Sequence, residues 1–325
     1  MKNPPAAKDE ANPRVVVIGG GTGLSVMLRG LKKKPVDITA IVTVADDGGS
    51  SGRLRDELQM PPPGDIRSVI SALAESEPLL SEMLQYRFSN GTGLAGHSLG
   101  NLILAALRDI TGDFVTGVRE LSRVLAVRGS VLPASHDSIV LSARMADGAV
   151  VEGESKITKY GGRIERVSLL PPDVEPLPEA IEAIREADAI VLGPGSLYTS
   201  IIPNLLVPGI TDAIRASDAA KVYICNVMTQ PGETDGYSVA DHVNAIAGHV
   251  GGPLFDTVIV NNSDIPRRVR SLYAEKGADV VRLDLETLAA LGYRTIADEL
   301  ILFQGVLRHD ANKLSHHIYR LAIGQ

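Results

Sequence analysis

The sequence predicts a Rossmann-like α/β fold: a doubly wound, mostly parallel sheet carrying a small β-rich insertion. Three observations carry that prediction. Five short β-branched runs are apolar on both faces, as strands covered on each side must be. The stretches between them place apolar residues at helical spacing. Between about Val124 and Leu170 the text changes to alternation of apolar and polar residues, which suits an antiparallel or mixed unit.

Along the chain, "RVVVIG" (14–19) is the first strand. "LSVMLRGL" follows as a helix, with Leu24, Met27, Leu28 and Leu31 on one face. Arg29, Lys32, Lys33 and Lys34 fit its carboxyl end, where cations complement the helix dipole. "DITAIVTV" (37–44) is the second strand. "SLGNLILAALRDI" is apolar almost all round and predicts a buried helix with Ser98 as its N-cap. The insertion spans about 124–170, with turns at Asp147-Gly148 and Gly161-Gly162. "LLPPDVEPLPEA" returns the chain to the body, which continues with strands "ADAIVLG" (187–193), "KVYICNV" (221–227) and "DTVIVNN" (256–262). The organisation expected is a disordered tail over 1–13 and one domain over 14–325.

Composition limits the function. A hydrophobic content of 44% in 325 residues supports a full core, while 4% aromatics without Trp disfavour base-stacking surfaces. A net charge of −7 disfavours nucleic acid and anionic membrane as general partners. No run reaches the roughly 20 apolar residues that span a bilayer, and the first 13 residues lack a signal-peptide pattern. The single cysteine, Cys225, lies inside an apolar run and reads as a core thiol in a reducing compartment. A cytoplasmic location is the expectation.

The chemistry-bearing motifs sit where strands end. "VVVIGGGTGLS" is a strand, a glycine turn and a helix start, so Gly20, Gly21, Thr22 and Gly23 can bring backbone N–H groups to a phosphate. Leu24 stands where the dinucleotide pattern needs a third glycine, which favours a general diphosphate cradle over NAD. "AIVLGPGSLYTS" repeats the arrangement with Gly193, Gly195 and Ser196. Beyond later strands stand Asn226, Thr229, Gln230, Glu233 and Asn261; their amides can donate to and accept from a base or sugar, or simply form turns. Asp46 and Asp47 close the second strand in "VADDGGSSGRLRDE". With Asp65 they could gather round Mg²⁺, or Asp65 could be an N-cap. No His/Cys spacing suggests zinc. "GHSLG" matches the G-x-S-x-G nucleophile pattern, but glycine-rich loop precedes it instead of a strand. His97 and Asn101 at this helix start could face an anion or bond their neighbours.

Taken together, "IGGGTGLSVMLRGLK", "TAIVTVADDGGSSGRLR", "PPPGDIRSVI", "AGHSLGNLIL", "GPGSLYTSIIPNLL" and "YICNVMTQPGETDGYS" resemble the YvcK/CofD-like family, and within it the YvcK branch. The resemblance runs from Arg14 to His309. It implies a Rossmann-like core that holds a nucleotide on the glycine loops. For the YvcK branch it implies a regulatory protein that binds UDP-sugars such as UDP-N-acetylglucosamine, linked to gluconeogenic growth, cell shape and peptidoglycan synthesis. It further implies a homodimer, a protein partner, and Tyr273 and Arg308 as ligand contacts. For the CofD branch it implies a divalent-metal-dependent 2-phospho-L-lactate transferase, with Asp46 and Asp47 near acceptor and metal as catalytic candidates beside Asp65. The hydrophilic "GGSSGRLRDELQMPPPG" departs from the aromatic stretch that the transferase carries there, which favours the binding protein over the enzyme.

Overall fold

The computed structural model describes residues 12–75 and 77–325; the predicted tail falls outside the described residues except for Asn12 and Pro13. In chain order the strands are β1 (Arg14–Gly19), β2 (Asp37–Val42), β3 (Ser130–Pro133), β4 (Val140–Met145), β5 (Val150–Glu152), β6 (Ile164–Leu170), β7 (Ala189–Leu192), β8 (Ala220–Ile224), β9 (Thr257–Asn261), β10 (Arg294–Asp298), β11 (Ile301–Gln304) and β12 (Val306–His309). Seven of them form a parallel sheet in the order β10-β9-β8-β7-β1-β2-β3. All five strands expected from the β-branched runs are in it. The chain winds outward from β1 through β2 and β3, then returns to the other side of β1 through β7. The strand order therefore reverses between β1 and β7, in register Ile18 opposite Leu192. At such a reversal the two flanking loops diverge and leave a crevice at the carboxyl ends of the strands.

Alternation along β1 shows why the sheet is buried on both faces. Val16 and Ile18 enter one hydrophobic cluster, Val15 and Val17 the other, and all four are at most 2% exposed. The second cluster is covered by α1 (Gly21–Leu31) and α3 (Gly64–Leu73), with Leu24, Met27, Leu28 and Leu31 fully buried as their spacing predicts. With β2, α2 (Gly49–Leu58) connects them in the chain, while α1 and α3 pack directly on each other. α4 (Pro78–Gln85) and α6 (Phe114–Val124) pack beside α5 (Leu99–Thr111).

Two expectations are corrected. α5 is not buried all round: Gly100, Asn101, Leu104 and Ala105 face inward, but Ile110 is 78% exposed, because α4 and α6 cover only part of its circumference. The insertion is also narrower and less uniform. Its separate antiparallel sheet is β5-β4-β6, while Ser130–Pro133 belongs to the main sheet beside β2. The alternating text also conceals a helix, α7 (Glu154–Tyr160), which begins after Gly153 at φ 104° and ends at Gly161 at φ 73°.

α1 also packs against the helix Ala311–Ala322, and the approach depends on Gly30. A Cβ there would lie 2.3 Å from the Ala311 carbonyl oxygen and 2.6 Å from Ser315 Oγ. The obstacle is backbone, which cannot rotate away. Gly30→Val is expected to lower unfolding stability by about 1–3 kcal/mol through overpacking. Urea denaturation with an unchanged m-value would check it.

Candidate functional site

The crevice between β1 and β7 is built from backbone. After β1 the chain turns at Gly20, extended at φ −169°, and Gly21, at φ 70°, directly into α1. After β7 it turns at Gly193, φ 78°, into Pro194 and Gly195. The two loops touch. A Cβ on Gly23 would lie 3.0 Å from the Pro194 carbonyl oxygen, and one on Gly195 would lie 3.2 Å from that of Gly20. The positive φ values at Gly21 and Gly193 favour glycine, and a side chain at Gly23 or Gly195 would force the facing backbone to shift. Asn204 ties the loops further, its Nδ2 donating to the carbonyls of Gly19 (3.1 Å) and Ser200 (2.7 Å).

Above the loops lies a cavity of about 400 Å³, within the roughly 300–1,000 Å³ typical of small-molecule sites. Ten of the residues singled out in the sequence line it: Gly20, Gly21, Thr22, Gly23, Asp65, Gly195, Ser196, Asn226, Gln230 and Glu233. Asn226 Nδ2 donates to the Gly195 carbonyl at 2.7 Å and so holds the second loop. Glu233, 3% exposed, organises the far wall. Ser196 Oγ lies 2.7 Å from both of its carboxylate oxygens, and Gln230 Nε2 donates to Oε1 at 2.7 Å.

The lining has an unexpected charge. Asp65, Glu154 and Glu233 all face the cavity, and among the described residues no Lys or Arg does. Burial, reinforced by the charge of Asp46, pushes the Asp65 carboxyl up to about 7, although the Gly21 N–H bond and Arg67 oppose the shift. Glu154 is pushed up to about 9, first by burial, then by Asp46 and Asp65. Burial also raises Glu233. These groups sit among helix N-termini, whose free N–H groups favour negative charge. Asp65 accepts from the first residue of α1, and Asp47 Oδ1 accepts from Ser155 N in the first turn of α7 at 2.8 Å.

Asp65 is thus not the N-cap of its own helix: α3 starts after Pro63, and the Asp65 side chain turns back to α1. The Asp46-Asp47 pair separates. Asp46 Oδ1 accepts from Gly48 N at 2.8 Å and Oδ2 faces Gly64, whereas both Asp47 oxygens face the start of α7. The pair does not converge on a point that a metal could share. Among the described residues no group of three or more His, Cys, Asp or Glu is arranged to hold one.

Other expected contacts stand elsewhere. His97 and Asn101, 4% and 2% exposed, form a latch between α5 and α2: His97 Nδ1 lies 3.0 Å from Ser50 Oγ, and Asn101 Nδ2 donates to the same oxygen at 3.1 Å. Ser98 caps α5 by accepting from Asn101 N, as predicted. Cys225 is buried, and burial pushes its thiol up to about 12, so it packs as an inert core group. Asn261 braces the loop after β9, with Oδ1 accepting from Leu300 N. Tyr273 OH accepts from Leu307 N, beside a small apolar cluster. Arg308 lines a separate cavity of about 210 Å³ with Arg29 and Lys33. Glu154 and Thr158 are the cavity residues that sequence reasoning missed, because the alternating text over about 124–170 points to a β-rich unit and not to α7. The cue for a helix was Glu154-Ser155 placed after Gly153 and followed by Gly161.

Two outcomes follow. A carboxyl raised in the folded state favours the protonated form, so stability is lost as pH rises from the unfolded value toward the folded one. For Glu154 that window runs from 4.5 to about 9. Glu154→Gln is therefore expected to flatten the decline in unfolding stability between pH 5 and 9, read by urea denaturation across pH. Asp47→Ala removes the acceptor at the start of α7, a loss of about 1 kcal/mol by analogy with helix caps. Hydrogen exchange should show faster opening of Glu154–Tyr160 with β1 and β7 unchanged.

A family model described as 2-phospho-L-lactate transferase CofD matches residues 15–301. The Gluconeogenesis factor of Bacillus subtilis (strain 168) is 58% identical over 304 residues, covering 93% of this chain and 96% of the relative. That of Halalkalibacterium halodurans is 60% identical over 305 residues, covering 94% and 95%. A crystal structure of a Bacillus halodurans protein superposes with a TM-score of 0.93 at 60% identity, covering 94% of this chain and 99% of that one. The matched span takes in both glycine loops, the acidic pair and the inserted sheet, and the chain belongs to the YvcK/CofD-like family.

Proposed function

We propose that the β1/β7 cleft binds a nucleoside diphosphate sugar, with UDP-N-acetylglucosamine as the representative ligand, and that the protein acts as a regulatory factor. The observation that carries this reading is the pair of glycine loops meeting at the strand-order reversal beneath a cavity of about 400 Å³. Gly20–Gly23 offers the α1 N-terminus to the diphosphate, and Ser196 adds a hydroxyl. Asn226 and Gln230 stand where a sugar or base would meet amide groups that donate and accept. The three carboxyls, with proton affinity raised by burial, can donate to or accept from hydroxyl-rich groups. The name Gluconeogenesis factor carried by the relatives supports a role in gluconeogenic growth. Links to cell shape and peptidoglycan synthesis, and a cytoplasmic location, belong to the same proposal; among the described residues no helix is long and apolar enough to cross a membrane.

A second reading is favoured by one observation: the CofD family match, together with Asp65 and Glu154 in the same cavity. It makes the protein a phospholactyl-type transferase. Turnover of a phospholactyl donor with an alcohol acceptor, lost in Asp65→Asn, would support it.

Isothermal titration with UDP-N-acetylglucosamine is expected to give saturable binding. Gly23→Val, whose Cβ would press on the Pro194 carbonyl, should weaken that binding at least about tenfold, the equivalent of ~1.4 kcal/mol. Absence of wild-type binding at millimolar ligand overturns the proposal.

A further inference from the structure

A larger groove, about 640 Å³, lies on the other side of the same seam between the inserted module and the body. Its walls are β6 with the residue before it, Arg163, and the helix Val239–Val250. Its charge is opposite to that of the cleft. Arg163 and Arg166 both reach it and both are exposed. Among the described residues the Arg163 guanidinium has no hydrogen-bond or ion-pair partner, its backbone carbonyl alone accepting from Ala146 N, and Arg166 spends one N–H on the Gly248 carbonyl at 3.2 Å. The acids lining the groove are already engaged: Glu165 pairs with Arg144 at 2.8 Å, and Asp241 closes the capping box with Ser238. In a chain of net charge −7, two guanidiniums therefore face one groove with most of their donors unused.

The floor is aromatic, with rings set edge to face, and offers one hydroxyl. Tyr198 OH and Tyr237 OH lie 2.7 Å apart, so one donates to the other and the accepting phenol keeps its own O–H. The His249 ring packs edge-on against Tyr198, with Nδ1 on the Ala245 carbonyl and Nε2 accepting from Val167 N. Both nitrogens are occupied by these bonds, which leaves His249 a neutral wall. Asn244 adds an exposed amide to the wall.

We propose that this groove is a second binding site, for a small organic molecule bearing a carboxylate or phosphate group. The two planar guanidinium forks match such oxyanions in geometry and charge, the phenol and the Asn244 amide complete the polar contacts, and the aromatic floor takes an apolar body. The site is distinct from the cleft but shares an element with it. Tyr198 lies two residues after Ser196, in the π-helix Leu197–Ile201, so an occupant of the groove presses on the segment that carries the second glycine loop.

The test is calorimetric titration with inorganic phosphate and with malonate at fixed ionic strength, on wild type, on the double variant Arg163→Gln/Arg166→Gln, and on Gly23→Val. Wild type is expected to bind at least one probe saturably. The double variant should weaken that binding at least tenfold with an unchanged melting temperature and unchanged UDP-N-acetylglucosamine stoichiometry, whereas Gly23→Val should retain it. A double variant that titrates like wild type, a signal that vanishes in Gly23→Val, or no saturable wild-type binding of either probe at millimolar concentration would each overturn the proposal.

Discussion

The architecture depends on one contact: bare backbone against bare backbone where β1 and β7 end. Gly23 meets the Pro194 carbonyl and Gly195 meets that of Gly20, at distances that any side chain would lengthen. Because the loops touch there, α1 starts immediately after β1, its N-terminus opens toward the crevice, and Asn204 can reach the carbonyls of Gly19 and Ser200 on either side of the junction. Widening this junction by one methyl would move α1, and α1 is wedged against a second helix at Gly30. Little slack exists on either side.

The electrostatics follow from that geometry. Helices α1, α2, α3, α5 and α7 begin around the carboxyl edge of the sheet, and their free N–H groups make a region of positive potential without a cationic side chain in the cavity. Carboxyls have collected there. Asp65 takes an N–H from α1 and Asp47 one from α7, but Glu154 and Glu233 exceed what the backbone compensates, so their affinity for protons rises. A site of this kind handles an anion through backbone dipoles and protons, and leaves arginine to the neighbouring groove.

Much of this was legible in the sequence, for identifiable reasons. Five strands of the main sheet could be read because buried parallel strands are apolar on both faces, and the glycine loops because no other residue suits them. β3 and β10 were not read: Ser130–Pro133 is four residues long, and β10 at the sheet edge is only half covered. α7 was hidden by its length of seven residues, too short for a helical period to emerge from alternating neighbours. The candidate site was legible where backbone makes it and illegible where distant side chains complete it. Nothing near Glu154 in the chain announces that it will face Asp65, and nothing in "ADDGG" shows that its two carboxylates part company.

That parting has an evolutionary side. Asp47 belongs to the body, yet its bonding partner lies 108 positions away in the inserted module, next to the residue that supplies the cleft with Glu154. The inserted module is therefore held to the body by a bond at the wall of the cleft. A donor module brought in with its own first turn would need a matching acceptor at position 47, and a host that lost the acceptor would misplace a wall of its own cleft.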